Sequence, residues 1–529
     1  MLNKSSNKPW IKHYDSEVPE ELKYPHIPAH QILRNTAYFA PHAQAVCKPG
    51  KGTATYLAVY DDAKRIANAL IEQGVIKGDR VAVALPNSRQ FASFFWGILM
   101  SGGVAVPLNP LYTQTEIARI LNQTRPKVFV AADTKDYRDL VPVVISIDVE
   151  QERPVFQDFP NIEPEIDIDP GRDLAFIQYT GGTTGEPKGC MFTHGNFVAA
   201  VYGQAVWSSP TAKYVPPSDR GMLCTLPFSH IFGLVTLGYA TKVNFPITVL
   251  PRFSVEAVVN LLSQEGFSYW PCVPTMLEMI LRHPAVIEGK IRLGERIKAI
   301  SMGGAPLSPG LRDKIRRYSL NVYDGWAMTE TCARGIAPPI LGKKKPGGGI
   351  PCCGIDARIV SPLTGVDEPI GEEGELWVKG PSIMKGYWEN DKETKRAFED
   401  GWLRTGDVAC MDEDGYITIL GRYKETILHG GYTIYPQEID NVILSYSSDF
   451  LDCITFGEDD DIYGENVVSV VGATQEHNQQ KLLDYCRQHL APFKVPSRII
   501  FTEELLPRTP AGKPLRQRTA RWVSQRPHG

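Results

Sequence analysis

The sequence predicts an α/β protein. A large N-terminal domain of strand–helix units with mostly parallel sheets is followed by a distorted β subdomain and a small, mobile α+β C-terminal domain. Three observations carry this reading. Short apolar strands running into Gly, Asp or Thr recur through the first four hundred or so residues, with helical patterns between them. After about Gly371 the texture changes to short strands and turns, and the last hundred residues form a smaller unit. With 529 residues, 43% of them hydrophobic, the chain has enough material for a substantial core and is too long for one domain.

Taken in order, "DDAKRIANALIEQGV" sets Ile66, Leu70 and Ile71 at helical spacing behind Asp61 and Asp62, both good N-cap types. "DRVAVALPNS" then reads as a short buried strand ending in turn residues. The uncharged run from Phe91 to Leu108 is nearly long enough to span a bilayer, but Gly102 and Gly103 interrupt it and Pro107 closes it. A buried helix leading into a buried strand is expected there, and no transmembrane segment. "KVFVAAD", "DLAFIQYT" and "RIKAISMGG" repeat the strand pattern. Strands alternating with helices imply a largely parallel sheet covered on its faces, with ligands at the carboxyl ends of the strands. "GELWVKG" and "GWLRTGDVACMDEDGYITILGR" supply the β subdomain. The charged link "GRYKE" divides the chain into residues 1–421, a hinge at 422–424 and a C-terminal domain at 425–529.

Formal charge is −4, from 56 basic and 60 acidic side chains, and no long basic run argues for nucleic acid as a partner. The densest basic cluster, Lys343 to Lys345, reads as a solvated turn or a phosphate contact. Ten cysteines follow no metal or disulfide spacing, as expected for reduced thiols in a cytoplasmic protein. The opening "MLNKSSNKPWIKHYDSE" has no apolar core of a signal peptide. Monomer and homodimer are both open.

"YTGGTTGEPKG", Tyr179 to Gly189, packs four glycines, three threonines and one lysine into eleven positions just after a strand. It is no P-loop: Glu186 and Pro187 separate Gly185 from Lys188, and Gly189 stands where Ser or Thr belongs. The composition still suits an anion, with bare backbone N–H groups, three hydroxyls and a point charge. An unliganded Gly/Thr surface loop is the alternative.

Further stretches carry chemistry. "SMGGAPL", Ser301 to Leu307, offers bare backbone to a flat ligand, and "DGWAMTET" sets Trp326, Thr329 and Glu330 close together. "WLRTGD" ends in Asp407, "GR" supplies Arg422, and "PRTPAGKPLRQ" presents Lys513. Together and in this order these stretches resemble the adenylate-forming superfamily, in its acyl-CoA synthetase and fatty acyl-CoA ligase branch. The resemblance runs from "NPLYTQTEIARIL" at residue 109 to "GKPLRQ" at residue 512.

The resemblance implies ATP, Mg2+ and coenzyme A as cofactors and a carboxylic acid as substrate. A carboxylate must attack an anionic α-phosphate; at about 3.5 Å and an effective dielectric near ~20, the two charges repel by roughly 5 kcal/mol. It assigns Thr180, Gly181, Gly182, Thr183, Thr184, Gly185 and Lys188 to the triphosphate, and Glu330 to the metal. Thr329 bonds the α-phosphate, Trp326 stacks on adenine between Gly325 and Ala327, and Gly304, Ala305 and Pro306 line the opposite face. Asp407 and Arg422 hold the ribose, and Lys513 lies between the carboxylate and the α-phosphate. Gly430, Gly431 and Tyr432 are expected at the CoA tunnel, with Lys424 at the pivot; a plain β-turn is compatible with that glycine pair. Phe228, His230, Gly233, Gly303, Ala327 and Arg334 are assigned to the acyl pocket, His230 near the acyl carboxylate. Ala327 replaces the usual glycine and narrows that pocket.

A buried arginine facing an alkyl chain is costly, so Arg334 is expected to turn outward, the alternative being a partner on the substrate. The expected reaction joins an apolar monocarboxylic acid (fatty, alicyclic or aromatic) to CoA through an acyl-AMP. Within the same chemistry the alternative is an acyl-AMP ligase loading a carrier protein's pantetheine. A luciferase-like or catalytically silent nucleotide-binding protein is the alternative from another class.

Overall fold

The computed structural model describes residues 8–132, 137–151, 155–180, 187–213, 215, 221–342, 344–345, 348–447, 449–475, 477–508 and 515–525. Its strands form four sheets. In the first, Val322–Asp324, Ile297–Met302, Phe267–Cys272, Met222–Cys224, Ile247–Val249 and Gln44–Lys48 lie parallel, and Gly52–Thr55 closes the edge antiparallel. In the second, Leu174–Tyr179, Val104–Pro107, Arg80–Ala84, Val128–Ala131 and Val143–Ser146 are parallel. Gly189–Thr193 and Gly386–Tyr387 extend it antiparallel. The third sheet is antiparallel throughout and is built around Glu373–Lys379, Trp402–Met411 and Ile417–Arg422. The fourth is drawn only from Ile427 onward.

The α/β class expected from the alternating pattern is therefore the one observed. The uncharged run is a helix, Arg89–Met100, every residue of it buried, followed by the buried strand Val104–Pro107. Among the described residues, no helix is long and apolar enough to cross a membrane. One boundary differs. The helix expected to start at Asp61 or Asp62 starts at Tyr56, because Thr55 caps it by accepting from the Ala58 N–H. Asp62 faces inward instead, where Arg89 donates to it at 2.8 Å.

Long apolar helices can pack between two sheets only if their axes approach closely. Helices Tyr56–Glu72 and Arg89–Met100 meet at Gly97, where an added Cβ would stand 2.7 Å from Ile66 Cγ2 and 2.8 Å from the Ala63 carbonyl. Gly97→Ala is expected to cost about 1–3 kcal/mol of stability by overpacking. A lower thermal unfolding midpoint with unchanged far-ultraviolet circular dichroism would report it.

Candidate active site

Three strands of the parallel sheets deliver the site. Leu174–Tyr179 runs into Thr180, whose N–H donates to the Lys188 carbonyl at 2.9 Å, closing the mouth of the Gly/Thr loop. Ile297–Met302 runs into Gly303–Pro306, and Val322–Asp324 into Gly325 and Trp326. Three cavities meet at Gly304.

The widest, a cleft of about 1140 Å³, is lined by Thr180, Lys188, His230, Thr329, Glu330 and Arg422. A short 3-10 turn, Thr329–Thr331, buries Glu330 while leaving it on the cleft wall. Tyr387 reaches Glu330 because its strand pairs with Gly189–Thr193, and its hydroxyl donates to Glu330 Oε1 at 2.8 Å. Burial and the neighbouring carboxylate push the Tyr387 phenol far up, so it remains a donor. Lys188 pairs with Glu393, and its ammonium lies 5.0 Å from the centre of the Tyr387 ring. Its charge, with the Arg396 guanidinium, holds the Glu393 carboxyl below the usual range.

The second cavity, about 400 Å³, is a flat slot bounded by Gly304, Ala305, Pro306, Gly325, Trp326 and Ala327. Asp407 and Arg422 lie at its edge on paired strand positions. Asp407 is buried; its Oδ1 accepts from Arg422 Nε at 2.9 Å and its Oδ2 from the Trp326 indole at 2.8 Å. Sequence reasoning missed Asp324, which lines the same slot 3.5 Å from Arg312. Burial pushes its carboxyl up to about 6, against the pull of Arg312. The only signal was its place at the end of an apolar strand.

The third cavity, about 120 Å³, opens from the cleft past His230 and Thr329 and is walled by Phe232, Val235, Ala327 and Ile336. His230 caps the helix Ile231–Val243, its Nδ1 accepting from the Phe232 N–H. Gly303 lines this cavity too. Two expected wall residues do not: Phe228 is buried behind it against Phe91, and at Gly233 a Cβ would stand 2.0 Å from the Pro227 carbonyl, a backbone crossing. Arg334 does not turn outward. It is 3% exposed and lines the cavity, because its donors find acceptors inside, among them Gln204 Oε1 at 3.0 Å.

Gly181, Gly182, Thr183, Thr184, Gly185 and Lys513 lie outside the described residues. Arg508 and Arg516, on either side of the Lys513 segment, both line the slot. Lys424 stands on the cleft in the 3-10 turn Tyr423–Glu425. Gly430 and Gly431, with φ of 57° and 85°, form a two-residue turn between Ile427–His429 and Tyr432–Ile434. This suits a hairpin that needs positive φ at both positions. Tyr432 stacks on Phe493 with ring centroids 4.1 Å apart, and none of the three lines the cleft. Lys344, expected in a solvated turn, instead packs its ammonium 3.6 Å from the Tyr323 ring centre.

A model of the AMP-binding enzyme family matches residues 33–388, and one of the AMP-binding enzyme C-terminal domain matches residues 438–513. The chain belongs to the AMP-binding enzyme family, in its acyl-CoA synthetase branch. It is 33% identical to a long-chain-fatty-acid–CoA ligase of Bacillus subtilis, over 97% of this chain and 98% of that one. The ATP-bound crystal structure of MatB from Rhodopseudomonas palustris is similar with a TM-score of 0.84 at 28% identity, covering 94% of this chain and 99% of that one. The o-succinylbenzoate coenzyme A synthetase MenE of Bacillus subtilis, in complex with ATP and magnesium ion, is similar with a TM-score of 0.80 at 27% identity, covering 92% and 99%.

Asp324 ionises at higher pH when folded, so the native state holds an extra proton between the ordinary carboxyl value of 3.8 and about 6. Its contribution to stability is therefore lost as pH rises through that window. Asp324→Asn is expected to remove this component, seen as a flatter pH dependence of the urea midpoint.

Proposed function

We propose that the chain is an ATP-dependent carboxylic acid–CoA ligase that adenylates an acid with an apolar stem, releasing pyrophosphate, and then passes the acyl group to CoA, releasing AMP. The observation that carries this is the meeting of three cavities at Gly304: a charged cleft, a slot against Trp326 and a small pocket past His230. Anhydride formation between a carboxylate and a nucleoside phosphate calls for that junction. The CoA-ligase names of its relatives, and the ATP in solved ones, support the same reading.

In this reading the adenine lies between Trp326 and Gly304–Pro306, and Asp407 accepts from the ribose hydroxyls. A carboxylate has about four acceptor sites, and the Trp326 and Arg422 donors occupy two. Thr329 donates to the α-phosphate, and Lys188 leaves Glu393 for the triphosphate tail. Among the described residues no group of three or more His, Cys, Asp or Glu side chains surrounds Glu330 as a metal cage. That fits magnesium, which usually takes one or two carboxylates and otherwise phosphate and water oxygens. When bound, the ion would neutralise phosphate charge beside Glu330. Lys513 supplies a fixed positive charge where carboxylate and α-phosphate approach. Residues 422–424 act as the hinge on which residues 425–529 turn, bringing Gly430 and Gly431 to the pantetheine arm for the second step.

Two outcomes are expected. Lys513→Ala slows acid-dependent pyrophosphate release by about 100-fold or more, while thioester formation from preformed acyl-AMP changes far less; equal loss in both steps would remove the assignment. Free CoA is expected to accept the acyl group, and acylation of a holo carrier protein alone would replace this reading with the carrier-loading one.

A further inference from the structure

The described residues include three buried arginines. Two sit on buried carboxylates: Arg89 on Asp62 at 2.8 Å and Arg516 on Asp440 at 2.8 Å. Arg334, the most buried of them, has no acidic partner among the described residues. Its Nη1 donates to Gln204 Oε1 at 3.0 Å, and its Nη2 makes long contacts of 3.4 Å to the Cys353 carbonyl and 3.9 Å to the Cys353 thiol. A guanidinium has five N–H donors, and a buried one without a counter-ion is strongly unfavourable. No described residue supplies the missing partner, which leaves a place for an anion brought by the substrate.

The place of Arg334 decides which. It lines the third cavity together with Gln204, Trp207 and Cys352, none of which borders the cleft, whereas His230 and Thr329 border both. The reacting carboxyl therefore enters at one end, and Arg334 belongs to the other. Trp207 lines the same end; it is 4% exposed, and its buried indole N–H has no partner among the described residues. Between the two ends the wall is apolar at Phe232, Val235, Ala327 and Ile336. The cavity's 120 Å³ is well below the ~300–1,000 Å³ of pockets that hold drug-sized ligands, so the acyl group is compact.

We propose that the substrate is a short dicarboxylic acid, one carboxylate activated beside His230 and Thr329 and the other bound by Arg334 at the end of the cavity away from the cleft. This replaces the plain monocarboxylic acid expected from the sequence. It rests on the acyl-CoA ligase reading and names the substrate class of that site.

The test is CoA-dependent AMP release with matched pairs of acids: pentanoate against glutarate, hexanoate against adipate, octanoate against suberate. Wild-type enzyme is expected to favour a diacid over its partner by about 100-fold or more in kcat/KM, since a site built to bond a polar group rejects the analogue lacking it. Arg334→Met is expected to lose roughly 100-fold or more on the diacid and gain on the monoacid. Because a buried substitution can impair folding, Gln204→Glu serves as a second variant. It sets an internal counter-ion beside Arg334 and is expected to bring the ratio of diacid to monoacid kcat/KM down to about one, whatever it does to turnover as a whole. A wild type that favours monoacids, with both variants keeping that order, overturns the distal site and leaves the ligase reading standing. No AMP release with any acid overturns both.

Discussion

Burying the Asp407 carboxylate requires donors, and the chain draws them from segments far apart in sequence. Arg422 comes from the facing strand of the antiparallel sheet, and Trp326 from the turn beyond the last parallel strand. Hydrogen bonds to a charged group are worth about 1.5–3 kcal/mol each, so the pair fixes this junction rather than decorating it. Trp326 is thereby held at one angle, and it borders both the slot and the smaller cavity past His230. Arg422 leads directly into the turn Tyr423–Glu425, so that turn is tied to the same carboxylate.

The charged cleft follows a related logic. Lys188 is paired with Glu393, and Glu330 accepts from Tyr387, so neither charge waits alone. In the proposed reaction a polyanion entering the cleft would exchange one carboxylate partner of Lys188 for phosphate oxygens instead of creating a new charge contact. Among the described residues Arg334 has no carboxylate partner, unlike the buried Arg89 and Arg516, and this singles out its end of the cavity.

Local features were legible in the sequence. The strands ending at Tyr179 and Met302, and the buried helix Arg89–Met100, follow from periodicity and turn residues alone. The start of the helix at Tyr56 was not, because Asp62 is an N-cap residue type whose carboxylate was taken up by Arg89 through tertiary contact. Motif order brought Trp326, Asp407 and Arg422 forward as a group. Tyr387 could not be found that way, since its place beside Glu330 depends on a strand pairing across more than a third of the chain. Arg334 was misjudged for a physical reason. The cost of burying a cation was weighed correctly, but sequence spacing does not give side-chain direction, and the acceptors at Gln204 and Cys353 come from distant segments.

The account stands on direct attack by the acid's oxygen at the innermost phosphorus of ATP, at the junction marked by Gly304. Acid labelled with heavy oxygen in its carboxyl group, turned over with ATP and CoA, tests that step without any variant. The account predicts that each AMP released carries one labelled oxygen in its phosphate, as mass spectrometry would detect. Unlabelled AMP, with the oxygen lost from the carboxyl group found in pyrophosphate instead, would contradict it, since the thioester keeps the other labelled oxygen in either case.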